Sequence, residues 1–395
     1  MAISRKLKKQ MSEGGWIRKM FEEGIALQKK YGVRNVFDLS LGNPIFEPPE
    51  QFRHELRDWA CSPRPGMHRY MPNAGYPETR AAVAAHLSAK TGLPFTASEI
   101  VMTCGAAGAL NTALKAISEP GDELIIFAPY FSEYIYYADN HGAIAKIVPT
   151  DSQFIPDLKA LEQSITPKTK AVLVNSPNNP TGVVYTAKVL QGIGQILAKK
   201  EKQYGTEIFL LSDDVYRKLV YDGVECQYLF QYHPRTIVAT SHSKDLAVPG
   251  ERIGYIAVNP QYEGREELIN GLVFCNRVLG FVNAPALMQH IVQNLQDASV
   301  DIGQYAKKRD FLYSNLAEMG YSIVKPQGAF YMFPKSPIED DLAFVREIQK
   351  HNVLVVPGRG FGAPGYFRIS YCVDDWVIEG SLKGFKAAAK ELGLR

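Results

Sequence analysis

The sequence predicts an α/β protein: a large, doubly wound, mostly parallel sheet domain, with a smaller α+β domain built from both termini. Three observations carry this expectation. The middle of the chain alternates short apolar runs with amphipathic stretches, which implies right-handed crossovers onto one sheet. Several of the apolar runs are continuous rather than alternating, as in strands buried on both faces. The chain has 395 residues, beyond the size at which a single hydrophobic core usually stops growing, so two domains are expected.

Taken in order, the N-terminus carries a basic cluster, Arg5, Lys6, Lys8 and Lys9. It reads as a solvated helix start rather than a targeting signal, because Glu13, Arg18, Lys19, Glu22 and Glu23 interrupt any apolar stretch behind it. A helix over Gly15–Tyr31 and an extended segment Phe37–Leu41 are expected to pack onto the smaller domain. Predicted strands are Ile100–Thr103, Glu123–Phe127, Lys170–Asn175, Glu207–Leu211, Thr236–Thr240 and Gly254–Val258. Helical patterns lie between them at Ala109–Ile117, Asp157–Ser164 and Ala187–Tyr204. The C-terminal third reads differently. A long helical stretch from Ala286 to Met319 breaks near Ser299–Gly303. A strand pair follows at Tyr321–Val324 and Ala329–Phe333, turning at Lys325–Gly328. Then come a helix (Leu342–His351), a strand (Val353–Val356), a glycine-rich loop, a strand (Tyr366–Ser370) and a final helix. The large domain is placed at 46–290 and the small one at 1–45 and 291–395.

Composition excludes several classes. Apolar residues are 46% and charged residues 22%, ordinary for a globular protein with a large core. A net charge of +3 gives no case for nucleic acid or a membrane surface. No apolar run reaches the ~18 residues of a membrane span. The cysteines, Cys61, Cys104, Cys226, Cys275 and Cys372, are scattered and odd in number, which fits a reducing cytoplasm and neither disulfides nor zinc. The eight histidines show no ligand spacing, so no metal is expected.

In an open α/β sheet, ligands sit beyond the C-terminal ends of the strands. Four such ends carry polar clusters: Cys104-Gly105-Ala106-Ala107-Gly108 opening a helix, Ser176–Gly182 (SPNNPTG), Ser212–Tyr216 (SDDVY), and Ser241-His242-Ser243-Lys244 with Arg252 eight residues on. Together they offer a lysine nucleophile, an acid, a phenol, an arginine and a helix N-terminus. The last two suit a phosphate, through free N–H groups and a bidentate guanidinium. Each cluster alone also has a structural reading as a turn, a cap or close packing. Their occurrence together at four strand ends is far more specific. A dinucleotide fold is disfavoured, since neither Gly105–Gly108 nor Gly358–Gly362 has the G-x-G-x-x-G spacing.

These motifs, with SLGNP (Ser40–Pro44), Tyr70–Arg80, APYF (Ala128–Phe131), GAFYMFP (Gly328–Pro334) and FRIS (Phe367–Ser370), resemble the class I/II aminotransferases of the fold-type I pyridoxal-phosphate enzymes over nearly the whole chain. The resemblance implies pyridoxal 5′-phosphate held on Lys244 as a Schiff base, with Lys244 then moving the substrate's Cα proton. It implies Asp213 on the pyridine nitrogen, and Tyr216 and Asn179 on the ring O3′. Ser241, Arg252, Gly105, Ala106 and Ala107 would hold the phosphate, and Phe131 would stack on the ring where the family often has tryptophan. Arg368, with Gly42 and Asn179, would take the substrate α-carboxylate. Tyr70 would reach the phosphate of a neighbouring subunit, which implies a homodimer with shared sites. Cis bonds are expected before Pro129 and Pro180. Two departures stand out: Glu251 precedes Arg252 where an apolar residue is usual, and Ala106-Ala107 lacks the hydroxyl many relatives use.

The expected activity is exchange of an amino group between an amino acid, aspartate-like favoured, and a 2-oxo acid such as 2-oxoglutarate. A lyase on the same scaffold, such as a cysteine-S-conjugate β-lyase or an ACC-synthase-like enzyme, is the alternative from another enzyme class, because fold alone does not separate the two. A ligand-sensing regulator domain is disfavoured by the intact Lys244 and by an N-terminal segment of about 35 residues, too short for a DNA-binding module. A dicarboxylate donor needs a second cation besides Arg368; Arg277 and Arg69 are the candidates, with His68 as an added donor. Tyr134, Phe330 and Tyr331 are expected in the same pocket, which leaves room for an alanine or aromatic preference.

Overall fold

Ser4 opens the chain's first helix by accepting the Leu7 N–H on its hydroxyl, so the basic cluster falls on α1 (Arg5–Glu13). A computed structural model describes residues 2–62 and 64–394. After α2 (Trp16–Tyr31) comes the short strand β1 (Phe37–Asp38), then α3 (Glu50–Cys61) and α4 (Pro77–Thr91). The main sheet follows as β2 (Ile100–Thr103), α5 (Gly105–Ile117), β3 (Glu123–Ala128), α6 (Tyr134–Asn140), β4 (Ile144–Pro149), α7 (Leu158–Ser164), β5 (Thr169–Asn175), α8 (Ala187–Tyr204), β6 (Phe209–Asp213), β7 (Thr236–Ser241) and β8 (Gly254–Val258). Asp157 and Thr186 cap α7 and α8 with their side chains. Gly92 and Gly205, both left-handed, end α4 and α8.

The seven strands lie in the order β2-β8-β7-β6-β5-β3-β4. All pairs are parallel except the two made by β8, which runs antiparallel to β2 and β7. Strands β2, β6 and β8 are buried along their whole length, which is why their sequences are unbroken apolar runs. Strand β4 escapes the sequence pattern because it is an edge strand: Ile144 and Ile147 are exposed and Lys146 is only partly covered. Chain order reverses beside β3, where the path leaves for β4 and returns as β5. The crevice beyond that reversal is where ligands of such sheets bind.

Beyond α9 (Arg265–Val278), the expected long helix is two helices, α10 (Ala286–Val292) and α11 (Ile302–Glu318), so the break begins earlier than the sequence predicts. Next come β9 (Tyr331–Met332), α12 (Asp341–Gln349), β10 (Val353–Leu354), β11 (Val356–Pro357), β12 (Phe367–Ser370) and α13 (Asp375–Glu391). The expected strand pair around 321–333 is a correction. Residues 321–324 form no strand, and β9 pairs with β12 instead. The intervening turn spends its backbone donors elsewhere. Gln327 and Gly328 donate to Gly182 O, both at 2.8 Å, and Ala329 donates to Leu219 O at 2.8 Å. The turn is thereby stitched to the large sheet's loops, while Tyr321 is buried against Phe344, Phe367 and Phe385. At the other end of the chain, β1 pairs in parallel with β10 and α13 packs on it, so both ends of the chain contribute to the smaller α+β unit.

Candidate active site

A cavity of about 340 Å³ opens between the carboxyl ends of β5, β6 and β7 and the strands of the smaller unit. Of the residues expected at a site, Gly42, Ala106, Ala107, Phe131, Asn179, Asp213, Tyr216, Ser241, Lys244, Arg252 and Arg368 all line it. Gly105 sits just behind, at the first turn of α5 with φ +70. Tyr134 and Tyr331 also line the cavity, whereas Phe330 lies behind it, with Lys244 Nζ 5.4 Å from its ring centre.

One end is built for an anion. The α5 N-terminus presents the Ala106 and Ala107 backbone, and Ser241 and Arg252 face it from the neighbouring loops. Arg252 adopts a left-handed backbone, φ +53, an uncommon conformation for a non-glycine residue. Its Nη1 donates to Pro249 O at 2.8 Å. A Cβ on Gly105 would lie 3.0 Å from Arg252 Nη2, so the glycine is what lets the guanidinium approach the helix end. Of the two departures, Glu251 is exposed, and Ala106 and Ala107 offer backbone only.

The centre holds three linked groups. Asp213, at the end of β6, is buried; Tyr134 Oη donates to its Oδ2 at 2.5 Å, and its Oδ1 has no partner among the described residues. Burial pushes its carboxyl up to about 7, with the Tyr134 bond opposing and the neighbouring Asp214 adding to the rise. Lys244 Nζ donates to Gly42 O at 2.9 Å, and burial pushes the amine down to about 8. Tyr216 and Tyr331 share a hydrogen bond, 3.0 Å between their hydroxyls. Asp214 turns the other way, into an ion pair with Arg217 at 2.5 Å, so the two adjacent acids are separated by side-chain direction.

The far end belongs to Arg368, 1% exposed on β12. Its Nη1 donates to Asn179 Oδ1 at 3.0 Å and its Nη2 to Ser40 O at 2.7 Å, while Nε, also buried, has no partner among the described residues. The guanidinium is flanked by the rings of Tyr331 and Phe361, 4.6 and 4.7 Å from their centres. Asn179 is set in turn by Asn175, whose Oδ1 accepts the Asn179 N–H at 2.7 Å and whose Nδ2 donates to Asp213 O at 3.0 Å. The peptide bonds before Pro129 and Pro180 are cis, as the resemblance implied, and so is the one before Pro177. A Cβ on Gly42 would lie 1.9 Å from Tyr331 Oη, so only glycine fits there.

Four candidates stand elsewhere. Tyr70 is 90% exposed and, with His68 and Arg69, lines a separate surface hollow beside Phe281 and Asn283. Arg277 is exposed at the end of α9, over the Phe274 ring. Sequence reasoning missed Asn175, Ser243, Tyr137, Ile17 and Glu133, all of which line the cavity. Ser243 was legible as a member of a strand-end cluster, and Asn175 as the strand residue next to one; Ile17 and Glu133 carried no such signal.

The chain matches the model of the family described as aminotransferase class I and II over residues 34–382. It is 32% identical over 370 residues to a probable aspartate/prephenate aminotransferase of Thermus aquaticus, covering 89% of this chain and 90% of that one. It is 30% identical to aromatic-amino-acid aminotransferase 2 of Thermococcus litoralis, covering 99% of each. Among solved structures, an aminotransferase of Eubacterium rectale superimposes with a TM-score of 0.95 at 38% identity, over 99% of both chains. Aspartate aminotransferase of Thermus thermophilus, with maleate, gives 0.87 at 28% identity, over 98% of this chain and 100% of that one.

Proposed function

The chain belongs to the class I and II aminotransferase family, and we propose that its cavity holds pyridoxal 5′-phosphate and passes an amino group from an amino acid to a 2-oxo acid, with 2-oxoglutarate as acceptor. The observation that carries this reading is the convergence, in one cavity, of a buried amine, a buried carboxylate oxygen without a partner, a helix end flanked by Arg252, and a second arginine 1% exposed. The donor set fits the cofactor: an anion cradle at one end, and Asp213 Oδ1 free to hold a pyridinium proton. When bound, the cofactor supplies an electron sink for the charge left on the substrate's Cα.

The remaining work falls to the chain's own groups. Ser241, Arg252 and the first turn of α5 hold the phosphate. Phe131 covers a ring face by stacking. Tyr216 and Asn179 hydrogen-bond the ring's phenolic oxygen. Arg368 grips the α-carboxylate, with Asn179, Ser40 and the Tyr331 ring fixing its plane, and so orients the Cα–H bond. Lys244 Nζ, lowered to about 8 by burial, carries the cofactor and then accepts the Cα proton. The expected result is visible absorbance from the purified protein and, after borohydride reduction, a cofactor label on the peptide containing Lys244. A label on any other lysine would overturn the whole assignment.

The protein acts as a homodimer in this reading, with Tyr70 completing the partner's phosphate site; its 90% exposure is what such a role requires. Mixing equal amounts of inactive Lys244→Ala and Tyr70→Ala chains should restore about a quarter of wild-type activity, since half the dimers are hybrids and one of their two sites is whole. A fully active monomer by sedimentation would overturn it. An aspartate-like donor, favoured by the names of several relatives, needs its second cation from the partner too, because Arg277 and Arg69 lie outside this chain's cavity. Arg277→Ala or Arg69→Ala should then weaken kcat/KM for aspartate while sparing alanine and phenylalanine.

A further inference from the structure

One charged group in the cavity is used neither by the cofactor nor by the α-carboxylate. Glu133 stands immediately before α6 and lines the cavity together with Phe131, Tyr331 and Arg368. A glutamate there could simply complement a helix N-terminus, but its side chain makes no capping bond. Ser132 Oγ donates to its Oε2 at 2.7 Å. Among the described residues no lysine, arginine or histidine forms an ion pair with it; what donates to the carboxylate is the Ser132 hydroxyl and its own backbone N–H. The three cations that line the cavity are already committed: Lys244 to the cofactor, Arg252 to the phosphate and Arg368 to the α-carboxylate. Burial pushes the Glu133 carboxyl above the ordinary range, with the Ser132 hydroxyl and Arg368 opposing. A half-buried carboxylate with no ion-pair partner of its own is costly to keep. It stands to gain from a ligand that brings a donor, and to repel one that brings a second negative charge.

We propose that Glu133 reads the far end of the amino donor, accepting a hydrogen bond from side chains that end in an amide or an ammonium and penalising those that end in a carboxylate. This rests on the aminotransferase reading for the site, and it sets a term against aspartate that a partner-subunit arginine would have to outweigh. It predicts that, of two side chains of equal length, the amide is preferred to the acid.

The test uses the holoenzyme and two unreactive four-carbon ligands that differ only at the far end, succinate and its monoamide succinamate, with binding followed by calorimetry. Wild type should bind succinamate at least about tenfold more tightly than succinate. Glu133→Gln should erase or reverse that ratio while leaving butyrate, which has no polar far end, unchanged. Equal or tighter binding of succinate by wild type, with the same ratio in Glu133→Gln, overturns the proposal. So does a Glu133→Gln protein in which both ligands change alike. The aminotransferase reading fails separately: a panel of amino acids that gives no amino transfer to 2-oxoglutarate would sink that reading, and the ligand ranking would still judge Glu133.

Discussion

Replacing Lys244 with alanine should leave a folded protein that takes up cofactor without a covalent link and turns over at least about 10⁴-fold more slowly, about 5.5 kcal/mol in activation free energy. The size follows from two roles lost at one atom. Lys244 is the one lysine among the described residues that lines the cavity, and burial has lowered it to about 8. At pH 7 about one amine in ten is then neutral and nucleophilic, against about four in ten thousand for an ordinary lysine at 10.4. The second role is proton transfer, for which the two acidic groups nearest the centre of the cavity are no replacement. Asp213 is tied to Tyr134, and Tyr216 is pushed far above its usual range by burial and by Tyr331. Lys244→Arg should fail to the same degree, because a guanidinium keeps the charge but offers no free amine. Covalent loading of wild type should speed up as pH rises through about 8 and then level off, since the lowered pKa leaves the amine neutral above it. Either variant within tenfold of the wild-type rate would remove Lys244 from the chemistry.

Much of this was legible in the sequence for a physical reason. Strands β2 and β8 match the predicted bounds residue for residue, because central strands buried on both faces must be apolar throughout and stop where polar loops begin. Strand ends carry the chemistry, so the clusters at Cys104–Gly108, Ser176–Gly182, Ser212–Tyr216 and Ser241–Lys244, with Arg252, point to one rim from the sequence alone. What was lost lies where a residue's partner is distant in sequence and has no pattern of its own. The turn at 325–328 looked like a hairpin, yet its N–H groups go to Gly182, over a hundred residues earlier. Tyr134 lines the cavity as expected, but the bond from its hydroxyl to Asp213 had no signal in the sequence. Glu133, between Phe131 and Tyr134, is in sequence indistinguishable from any acid at a helix start; only its missing capping bond and its place beside Arg368 single it out. Tyr70, Arg69 and Arg277 lie outside this chain's cavity, and the roles proposed for them would require a second copy.

Asp213→Asn should bind cofactor and lose most of its turnover, on the order of 10³-fold or about 4 kcal/mol, the scale for removing a preorganised charge from a water-poor site. The amide keeps the shape and can still accept from Tyr134 Oη, but it cannot hold a pyridinium proton with a full negative charge. Asp214 is no substitute, since its carboxylate is turned into the Arg217 ion pair at 2.5 Å and does not line the cavity. Asp214→Asn should therefore affect folding more than rate, and a near-normal rate for Asp213→Asn would show the pairing to be misassigned. The same substitution has a signature that needs no turnover. Burial raises the Asp213 carboxyl from 3.8 to about 7, so in the cofactor-free protein the folded state holds this proton more tightly than the unfolded chain does. That contribution to stability is fully present below about pH 4 and is lost as pH rises through about 7, at up to about 1.4 kcal/mol per pH unit. Asparagine does not titrate. The melting temperature of cofactor-free Asp213→Asn should therefore gain on that of wild type between pH 4 and pH 8, and the gap should narrow in the holoenzyme, where a pyridinium proton compensates the buried charge. A difference between the two proteins that stays constant across that range would mean that Asp213 keeps its charge throughout, held by a cation other than the cofactor.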